Sequence, residues 1–465
     1  MTERLSADYL IVGCGAVGMA FADVMLEETD AELIIVDRHA APGGHWNDAY
    51  PFVALHQPSA FYGVTSMELS QGRIDRDGLN AGFHELATGT EVKHYFDNVM
   101  RHQFLPTGRV KFFPQHDYLG DGRFRSLLTG EEYDVEVRGK TVDATWLNTS
   151  VPSTHTPKFS VADGAQFIPP NQLPNVTSSP ECFVVIGGGK TAIDTIVWLL
   201  LQGVAPASVH WIVPRDSWLV NRARIQPGIE FFDATFGGIA DQMQILAEAE
   251  DINDIWLRLE EAGLMLRVSK EVMPEMFHGA TVSEGELGLL QRLRHVVRGR
   301  KVSAIEPGRV TLTEGDFAVP DNTVFVDCSA RAIPNEGTRP VFMGDVITPQ
   351  TVRPYQPVFS AGLIAHVENA FSDEATKNRL CGVVPLPDHA KDWAAMQLAG
   401  MMNQFQWSQE PEMRSWLKAS RLDALSSTLA NVSREDEHKQ ALLKRMREYM
   451  MPAGANLQKI IAAAG

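Results

Sequence analysis

The 465-residue sequence predicts an α/β fold with two Rossmann-like dinucleotide-binding domains, because one pattern of apolar strand, glycine turn and apolar helix occurs twice. The first copy lies near the N-terminus, and the second begins near residue 181. Stretches rich in proline, serine and threonine precede the second copy, and apolar residues at helical spacing follow it. We therefore expect the second domain to interrupt the first, with a helical insertion and C-terminal helices completing the chain.

The first copy carries the glycine spacing of a dinucleotide turn. Its G-x-G-x-x-G glycines are Gly13, Gly15 and Gly18. Glycines at this spacing permit a tight turn, the close approach of a pyrophosphate and the packing of helix on strand, while the helix N-terminus favours phosphate. Asp37 follows about twenty residues later, where an acid accepts hydrogen bonds from a ribose hydroxyl. With Arg38 beside it, the pattern predicts a site for an adenine dinucleotide without a 2′-phosphate, such as FAD.

The second copy differs from the first at the end of its second strand. Its glycine turn reads G-x-G-x-x-A through Gly187, Gly189 and Ala192. Arg215 stands where the first copy has an acid, and an arginine there can pair with a 2′-phosphate. The pattern therefore predicts an NADPH site that includes Lys190 and Thr191, with Arg222 and Arg224 extending the positive patch. The alternative is that Arg215 and Lys190 are solvated residues that contact no ligand.

A third feature is the stretch GGHWNDAYPFVALHQPSAFYG at residues 43–63. It is too broken by glycine and proline for a long helix or strand, and too apolar for a solvated loop. Its aromatic side chains either pack in a protein core or surround a large flat cofactor. Gly44, Trp46, His56 and Gln57 are the candidate site residues, although a loop histidine with satisfied hydrogen bonds is an equally good interpretation of His56.

The two glycine turns, with Gly-Gly-x-Trp after the first, resemble the NADPH-dependent flavin monooxygenases. These include flavin-containing, Baeyer–Villiger and N-hydroxylating enzymes. The resemblance implies that residues 43–63 wrap the flavin ring, that Gln57 or His56 lies near its reacting nitrogen, and that Trp46 belongs to the catalytic site. It also implies that Asp345, in a Gly-Asp pair after an apolar run, holds the ribityl chain of FAD.

The resemblance is incomplete. Flavin-containing and Baeyer–Villiger enzymes carry F-x-G-x-x-x-H-x-x-x-W or a variant before the second glycine turn, but residues 157–176 contain neither histidine nor tryptophan. The paired cysteines of the related disulfide reductases are also missing. The chain is therefore identified as an atypical member of the superfamily, and its substrate stays open.

Three functions remain. The first is a monooxygenase that uses FAD, NADPH and O2 and, as the resemblance implies, oxygenates a small molecule through a flavin C4a-hydroperoxide. The alternative is an FAD-dependent NAD(P)H oxidase or reductase without oxygen insertion, which the missing motif favours. The third is a non-catalytic nucleotide-binding sensor, because no acid–base group outside the flavin site stands out.

Composition bounds the partners and the compartment. The formal net charge of −17 gives no bulk attraction for nucleic acid or an anionic membrane. The four cysteines are too far apart in sequence for a metal or redox pair, so we expect no metal and a cytoplasmic protein. The composition leaves the oligomeric state undecided, and a homodimer is one possibility. The predicted segments are 1–155 for the FAD-binding domain, first part, 178–322 for the NAD(P)H-binding domain with the insertion, 323–385 for the FAD-binding domain, second part, and 386–465 for the C-terminal helices.

Overall fold

The computed structural model describes residues 3–147, 150–330 and 337–464 of the chain. Residues 1–2, 148–149, 331–336 and 465 fall within the segments assigned from the sequence, and they lie outside the described residues. Two mainly parallel sheets dominate the fold, and the chain passes from the first sheet to the second and back again.

The first sheet is built mostly from the N-terminal part of the chain. Its strands there are β1 (Glu3–Val12), β2 (Leu33–Asp37), β3 (Val110–Pro114), β4 (His116–Gly120), β5 (Arg123–Ser126) and β6 (Glu132–Asp143), and its helices are α1 (Ala16–Glu28) and α2 (Gly89–Val99). Strands β6, β1, β2 and β3 are parallel neighbours in that order. Val12 is level with Val36 of β2 and Asp143 of β6, so these strands end together at one edge.

The second sheet follows. The elements of this region are β7 (Ser160–Val161), β8 (Gln166–Ile168), β9 (Cys182–Ile186), α3 (Lys190–Leu201), β10 (Val209–Val213), β11 (Leu219–Asn221), α4 (Phe232–Glu248), α5 (Ile252–Glu261), β12 (Met265–Leu266), β13 (Thr281–Val282), α6 (Glu284–Leu290), β14 (His295–Arg298), β15 (Val302–Glu306), β16 (Arg309–Leu312), β17 (Asp316–Ala318) and β18 (Thr323–Asp327). Strands β14, β10, β9, β18 and β8 form a five-stranded parallel sheet in that order. The other strands of this region form two small sheets, β12-β11-β13 and β17-β16-β15-β7.

The sequence-based boundaries of this domain need correction at both ends. Strand β8 precedes the predicted start at 178, and β18 follows the predicted end at 322. Both strands belong to the second sheet, where β18 pairs with β9 on one side and β8 on the other. The chain therefore leaves this sheet only after Asp327, because the run at 323–327 completes the second sheet rather than the first.

The chain then returns to the first sheet and ends in helices. The remaining elements are β19 (Phe342–Met343), β20 (Val346–Ile347), α7 (Pro357–Ala370), α8 (Glu374–Leu380), α9 (Trp393–Gln409), α10 (Pro411–Ala419), α11 (Ala424–Ala430) and α12 (Glu437–Ala464). Strand β20 adds to the first sheet parallel to β6, and β19 pairs with it as the antiparallel arm of a hairpin. The predicted fold class, with an interrupted first domain, a helical insertion and C-terminal helices, is confirmed.

Burial explains why these segments pack as they do. Every residue of β2, β9 and β18 is buried, as expected for parallel strands covered on both faces. Helix α12 packs along α4 of the insertion, where the Asn456 side-chain amide donates to the carbonyl oxygens of Leu246 and Ala249 at 2.9 and 2.8 Å. The insertion and the C-terminal helices therefore share one core.

Candidate functional site

The first glycine turn has the geometry that its sequence predicts. Gly13 has φ +101°, which favours glycine, and a Cβ on Gly18 would lie 2.0 Å from the Gly13 carbonyl oxygen. Gly15 is the N-cap of α1, and neither a side-chain cap nor an acid occupies the first turn of that helix. The first N–H groups of α1 are therefore available to phosphate oxygens.

Asp37 lies at the carboxyl edge of the first sheet and is already hydrogen-bonded. Its carboxylate accepts from the backbone N–H of Cys14 at 2.5 Å and from the backbone N–H and Nδ1 of His39 at 2.7 and 2.9 Å. The other ring nitrogen of His39 contacts Asp48 at 2.8 Å. The hydrogen bond to Asp37 is the largest cause that raises the pKa of His39 to about 9. A ribose hydroxyl would share Asp37 with this histidine.

Two other predicted residues, Arg38 and Trp46, have protein partners in the structure. Arg38 is largely exposed and pairs with Asp117 at 3.4 Å. Trp46 is buried, and its indole N–H donates to the Tyr62 hydroxyl at 2.8 Å. This placement favours the core-aromatic interpretation of Trp46, while a contact of Arg38 with the cofactor stays a prediction.

Residues 43–63 join the two glycine turns. A Cβ on Gly44, which has φ +55°, would lie 2.9 Å from Gly15 Cα. The backbone at Gly44 therefore packs directly on the first glycine turn. Further along, the Tyr50 hydroxyl donates to Asp194 of α3 at 2.6 Å, and Phe52 stacks on Trp198 of α3 at 4.9 Å between ring centroids. The stretch therefore lies between the two Rossmann-like domains.

His56 lies on the side of this stretch that faces the second domain, and Gln57 follows it in sequence. The Thr281 backbone N–H donates to His56 Nδ1 at 3.3 Å, which leaves the proton of a neutral ring on Nε2. Burial, together with the positive charges of Lys190 and Arg222, lowers the pKa of His56 to about 3. Gln57 is half-buried, and within the described ranges its amide makes no hydrogen bond. Both side chains therefore keep polar groups for a ligand.

The second glycine turn is also open to a ligand. Gly187 has φ +135°, and a Cβ there would lie 2.3 Å from the Cys328 carbonyl oxygen. A Cβ on Gly189 would meet no atom within 4 Å, so there is open space before α3. Helix α3 has no side-chain cap, and Lys190 and Thr191 form its first turn. Lys190 pairs with Asp194, so its charge is balanced locally.

The arginines predicted to bind a 2′-phosphate are not free. Arg215 makes a two-point ion pair with Asp388, at 2.9 and 3.3 Å, and His278 Nε2 contacts the same carboxylate at 2.9 Å. Arg222 is buried and pairs with Glu286 at 2.8 Å, so it belongs to the core rather than to a phosphate patch. A 2′-phosphate at Arg215 would have to compete with Asp388.

Asp345 lies in the wrong place for the predicted ribityl contact. It is exposed in the turn between β19 and β20, and its carbonyl oxygen accepts from the Thr141 N–H at 2.9 Å. Measured along the strands of the first sheet, Asp345 is about four residues, or about 13 Å, from the edge where Gly13 lies. The apolar run before Gly-Asp is the antiparallel arm β19, and the strand parallel to β6 follows the aspartate instead of preceding it.

A cluster that the sequence interpretation missed occupies that edge. Arg339 donates to Asp143 at 3.1 Å and to the Thr348 hydroxyl at 2.6 Å, and its guanidinium lies 3.8 Å from the centroid of Trp146. Gln350 follows β20 and donates to the Arg339 carbonyl oxygen at 2.7 Å. The sequence signal that could have indicated this cluster is the polar run directly after the short apolar pair Val346-Ile347.

The described ranges contain neither a metal-binding cluster nor a membrane-spanning helix. No group of three or more histidine, cysteine, aspartate or glutamate side chains in those ranges could hold a metal ion. None of the helices in that part of the chain has the length and apolar character needed to cross a bilayer. All four cysteines are buried thiols.

The fold and the two glycine turns define a two-domain dinucleotide-binding protein. The polycyclic ketone monooxygenase of the thermophilic fungus Thermothelomyces thermophila shares this fold, with a TM-score of 0.52 and 12% identity over 97% of this chain and 89% of that one. An open structure of cyclohexanone monooxygenase aligns at a TM-score of 0.48 and 13% identity over 96% of this chain and 98% of that one. The predicted resemblance to the flavin monooxygenase superfamily is confirmed at the level of the fold.

The chain itself belongs to a family that includes the following mycobacterial proteins. The uncharacterized proteins Rv2000 of Mycobacterium tuberculosis and Mb2023 of Mycobacterium bovis are each 42% identical to it over 462 residues, which is 99% of this chain and 86% of theirs. No family model matches the chain.

Proposed function

We propose that this protein is an FAD-dependent oxidoreductase that accepts hydride from NADPH and inserts an oxygen atom of O2 into a small molecule. The observation that carries the proposal is the position of residues 43–63. They contact the first glycine turn through Gly44 and the helix of the second through Tyr50. A dinucleotide on each turn would therefore share one cleft, as hydride transfer between two bound cofactors requires.

The residues present fit FAD on the first turn. The N–H groups at the start of α1 would hold the pyrophosphate, because glycine leaves them uncovered and no side chain caps them. Asp37 would accept from the adenosine ribose. Bound FAD supplies hydride acceptance and the reaction with O2, chemistry that no side chain provides.

The second turn fits NADPH in the same manner. Gly189 leaves open space before α3, whose first N–H groups have no side-chain cap. Lys190 and Thr191 would lie beside the pyrophosphate, and Arg215 would meet the 2′-phosphate. Tyr50 holds Asp194 through a 2.6 Å hydrogen bond, which fixes the partner of Lys190.

His56 would act as a hydrogen-bond donor rather than as an acid or base. With a pKa of about 3 the ring is neutral near pH 7. Its Nδ1 accepts from the Thr281 backbone, so the proton on Nε2 is the one it can offer to a bound group. Gln57 beside it would add an amide donor and acceptor. The two side chains would orient a ligand and leave proton transfer to other groups.

The cofactor part of the proposal is tested by spectroscopy on purified protein. We expect the protein to take up FAD with the absorption bands of oxidised flavin, and NADPH to bleach those bands under anaerobic conditions. A matched variant is Asp37→Ala, which should weaken FAD uptake by removing the ribose acceptor. A protein that takes up no FAD contradicts the proposal, and bound FAD that NADPH cannot reduce favours a non-catalytic sensor.

An oxidase or reductase is the second candidate, favoured by the missing histidine and tryptophan before the second glycine turn. The two functions differ in how reduced protein reacts with air. If oxygen is inserted, mixing the reduced protein with O2 in a stopped-flow instrument should show a transient species whose absorption spectrum matches neither reduced nor oxidised flavin. Direct return to oxidised flavin, with one H2O2 formed for each NADPH consumed, would favour the oxidase.

A further inference from the structure

A cavity of about 470 Å³ lies between the helical insertion and the C-terminal helices. Its walls come from α4, α9, α10, α11 and α12 and from the residues that follow β20. Within the described part of the chain, its lining includes no residue of either glycine turn. Small-molecule sites are commonly apolar cavities of about 300–1,000 Å³ with a few polar groups, so the volume suits a ligand of modest size.

The walls are predominantly apolar and adaptable. Met243 of α4, Met401 of α9 and Met446 of α12 face the cavity from three different helices. Methionine is unbranched and polarizable, so its side chain adjusts to ligands of differing shape. Such walls suit a flexible apolar chain better than a rigid polar ring.

The charged groups of the lining are unbalanced in favour of cations. They are three cations, Arg353, Arg414 and Lys418, and one carboxylate, Asp423. Asp423 is committed to Arg353 through contacts at 3.1 and 3.3 Å. Arg414 and Lys418 are exposed at the solvent end, and no ion pair of Lys418 is found among the described residues. A positive end on a cavity in a chain of net charge −17 favours an anionic ligand.

Arg353 adds an unused donor at the inner end. The side chain is only 10% exposed, and its guanidinium stacks on the Phe359 ring at 3.6 Å. Its Nε is buried, and no acceptor for it is present in the described ranges. A buried donor without an acceptor is costly, so a water molecule at the inner end, beyond the apolar part of a ligand, would be stabilised by this N–H group.

We propose that this cavity binds an amphiphilic carboxylate, with its apolar chain among the methionines and its carboxylate towards Lys418 and Arg414. The ligand class follows from the predominantly apolar walls and from the two exposed cations at one end of the cavity. The proposal goes beyond the cofactor chemistry and does not depend on it, because binding can be measured without flavin reduction.

Three probes of equal chain length test the ligand class by calorimetry on the full chain. We expect decanoate to bind, decanol to bind more weakly and decyltrimethylammonium to bind at least tenfold more weakly. Lys418→Gln should weaken decanoate binding by up to about fivefold, the range of an exposed ion pair, and leave decanol unchanged. Equal binding of the three probes, or none by decanoate, would overturn the proposal.

A pair of neighbouring methionines tests the location. Met243→Trp should fill the cavity and weaken decanoate binding at least tenfold, whereas Met402→Trp, at a residue 54% exposed beside Met401, should leave it unchanged. If Met243→Trp lowers the melting temperature more than Met402→Trp does, Met446→Trp replaces it from α12. Undiminished binding by a folded filling variant would show that decanoate binds elsewhere.

Discussion

At the residue scale, the partner of Arg215 decides how the second glycine turn can be used. Asp388 lies 173 positions further along the chain, yet its carboxylate meets the guanidinium where a 2′-phosphate was predicted. Carboxylate and phosphate oxygens both suit the two-point geometry of arginine. On the proposed function, Asp388 and NADPH therefore compete for one side chain.

We expect Asp388→Asn to tighten binding of adenosine 2′,5′-bisphosphate, which carries the 2′-phosphate without nicotinamide, by up to about fivefold. ADP, which has no 2′-phosphate, should bind equally to both proteins. Asp216→Asn is a matched control, because that carboxylate is adjacent in sequence but pairs with Arg298 at 3.1 Å. Calorimetry measures binding of both nucleotides to the wild type and to the two variants. Tighter binding by Asp216→Asn alone would contradict the competition between Asp388 and the 2′-phosphate.

Arg215→Ala tests the same contact from the other side. The loss of a hydrogen-bonded charge costs about 1.5–3 kcal/mol, so binding of adenosine 2′,5′-bisphosphate should weaken roughly tenfold to a hundredfold. ADP binding should stay nearly constant. If both ligands weaken alike, Arg215 supports the fold of the site and does not read the 2′-phosphate.

His39 makes part of the stability depend on pH. Its pKa in the fold is about 9, above the ordinary value of 6.5, because Asp37 and Asp48 hold the charged ring. The stabilisation is fully present below about pH 6.5 and is lost as pH rises through about 9. The difference in free energy of unfolding between wild type and His39→Gln, from urea titrations, should therefore shrink across that window. A difference that is constant with pH would show that the charge of His39 does not contribute.

At the element scale, the packing of α1 against β1 requires glycine at position 18. A Cβ on Gly18 would lie 2.0 Å from the Gly13 carbonyl oxygen, and backbone on both sides leaves no room to adjust. The glycine therefore fixes both the packing of α1 and the direction in which its N-terminus faces.

Gly18→Ala should lower the free energy of unfolding by about 1–3 kcal/mol or more through overpacking, and should abolish FAD uptake. Gly288→Ala is the matched control, because a Cβ in that exposed turn of α6 meets no atom within 4 Å. Alanine there should stabilise the helix by up to about 1 kcal/mol. Denaturant titrations compare the two, and equal effects would contradict the packing argument.

At the scale of the whole molecule, Arg222 ties residues 43–63 to the second domain. Its side chain is 1% exposed, donates to the His56 carbonyl oxygen at 3.1 Å and pairs with Glu286 at 2.8 Å. Glu286 is itself buried and completes the capping box of α6. Removing the arginine would strand a buried carboxylate at the junction.

Arg222→Ala should lower the free energy of unfolding by about 3–5 kcal/mol, the usual cost of breaking a buried ion pair from one side. The double variant Arg222→Ala with Glu286→Gln should recover part of that loss, because glutamine has no charge to strand and can still cap the helix. A loss below about 1 kcal/mol for the single variant would indicate that water reaches Glu286.

The sequence by itself determined the two glycine turns, the order of the domains and the extra helices. Glycine at a positive φ and apolar residues at a fixed period are local requirements, so they can be recognised without knowing the path of the chain. Gly13 and Gly187 accordingly have positive φ, Gly15 and Gly189 are the N-caps of α1 and α3, and Gly18 lies where α1 packs on the first turn.

Only the tertiary structure decided which side chains meet. It placed β18 in the second sheet, Asp345 away from the first glycine turn, Trp46 in the core and Asp388 on Arg215. Each depends on contacts between residues distant in sequence, and no local pattern records them. A Gly-Asp pair or a strand-end arginine looks the same in sequence whether it faces a ligand, solvent or another carboxylate, because its partners come from other parts of the chain.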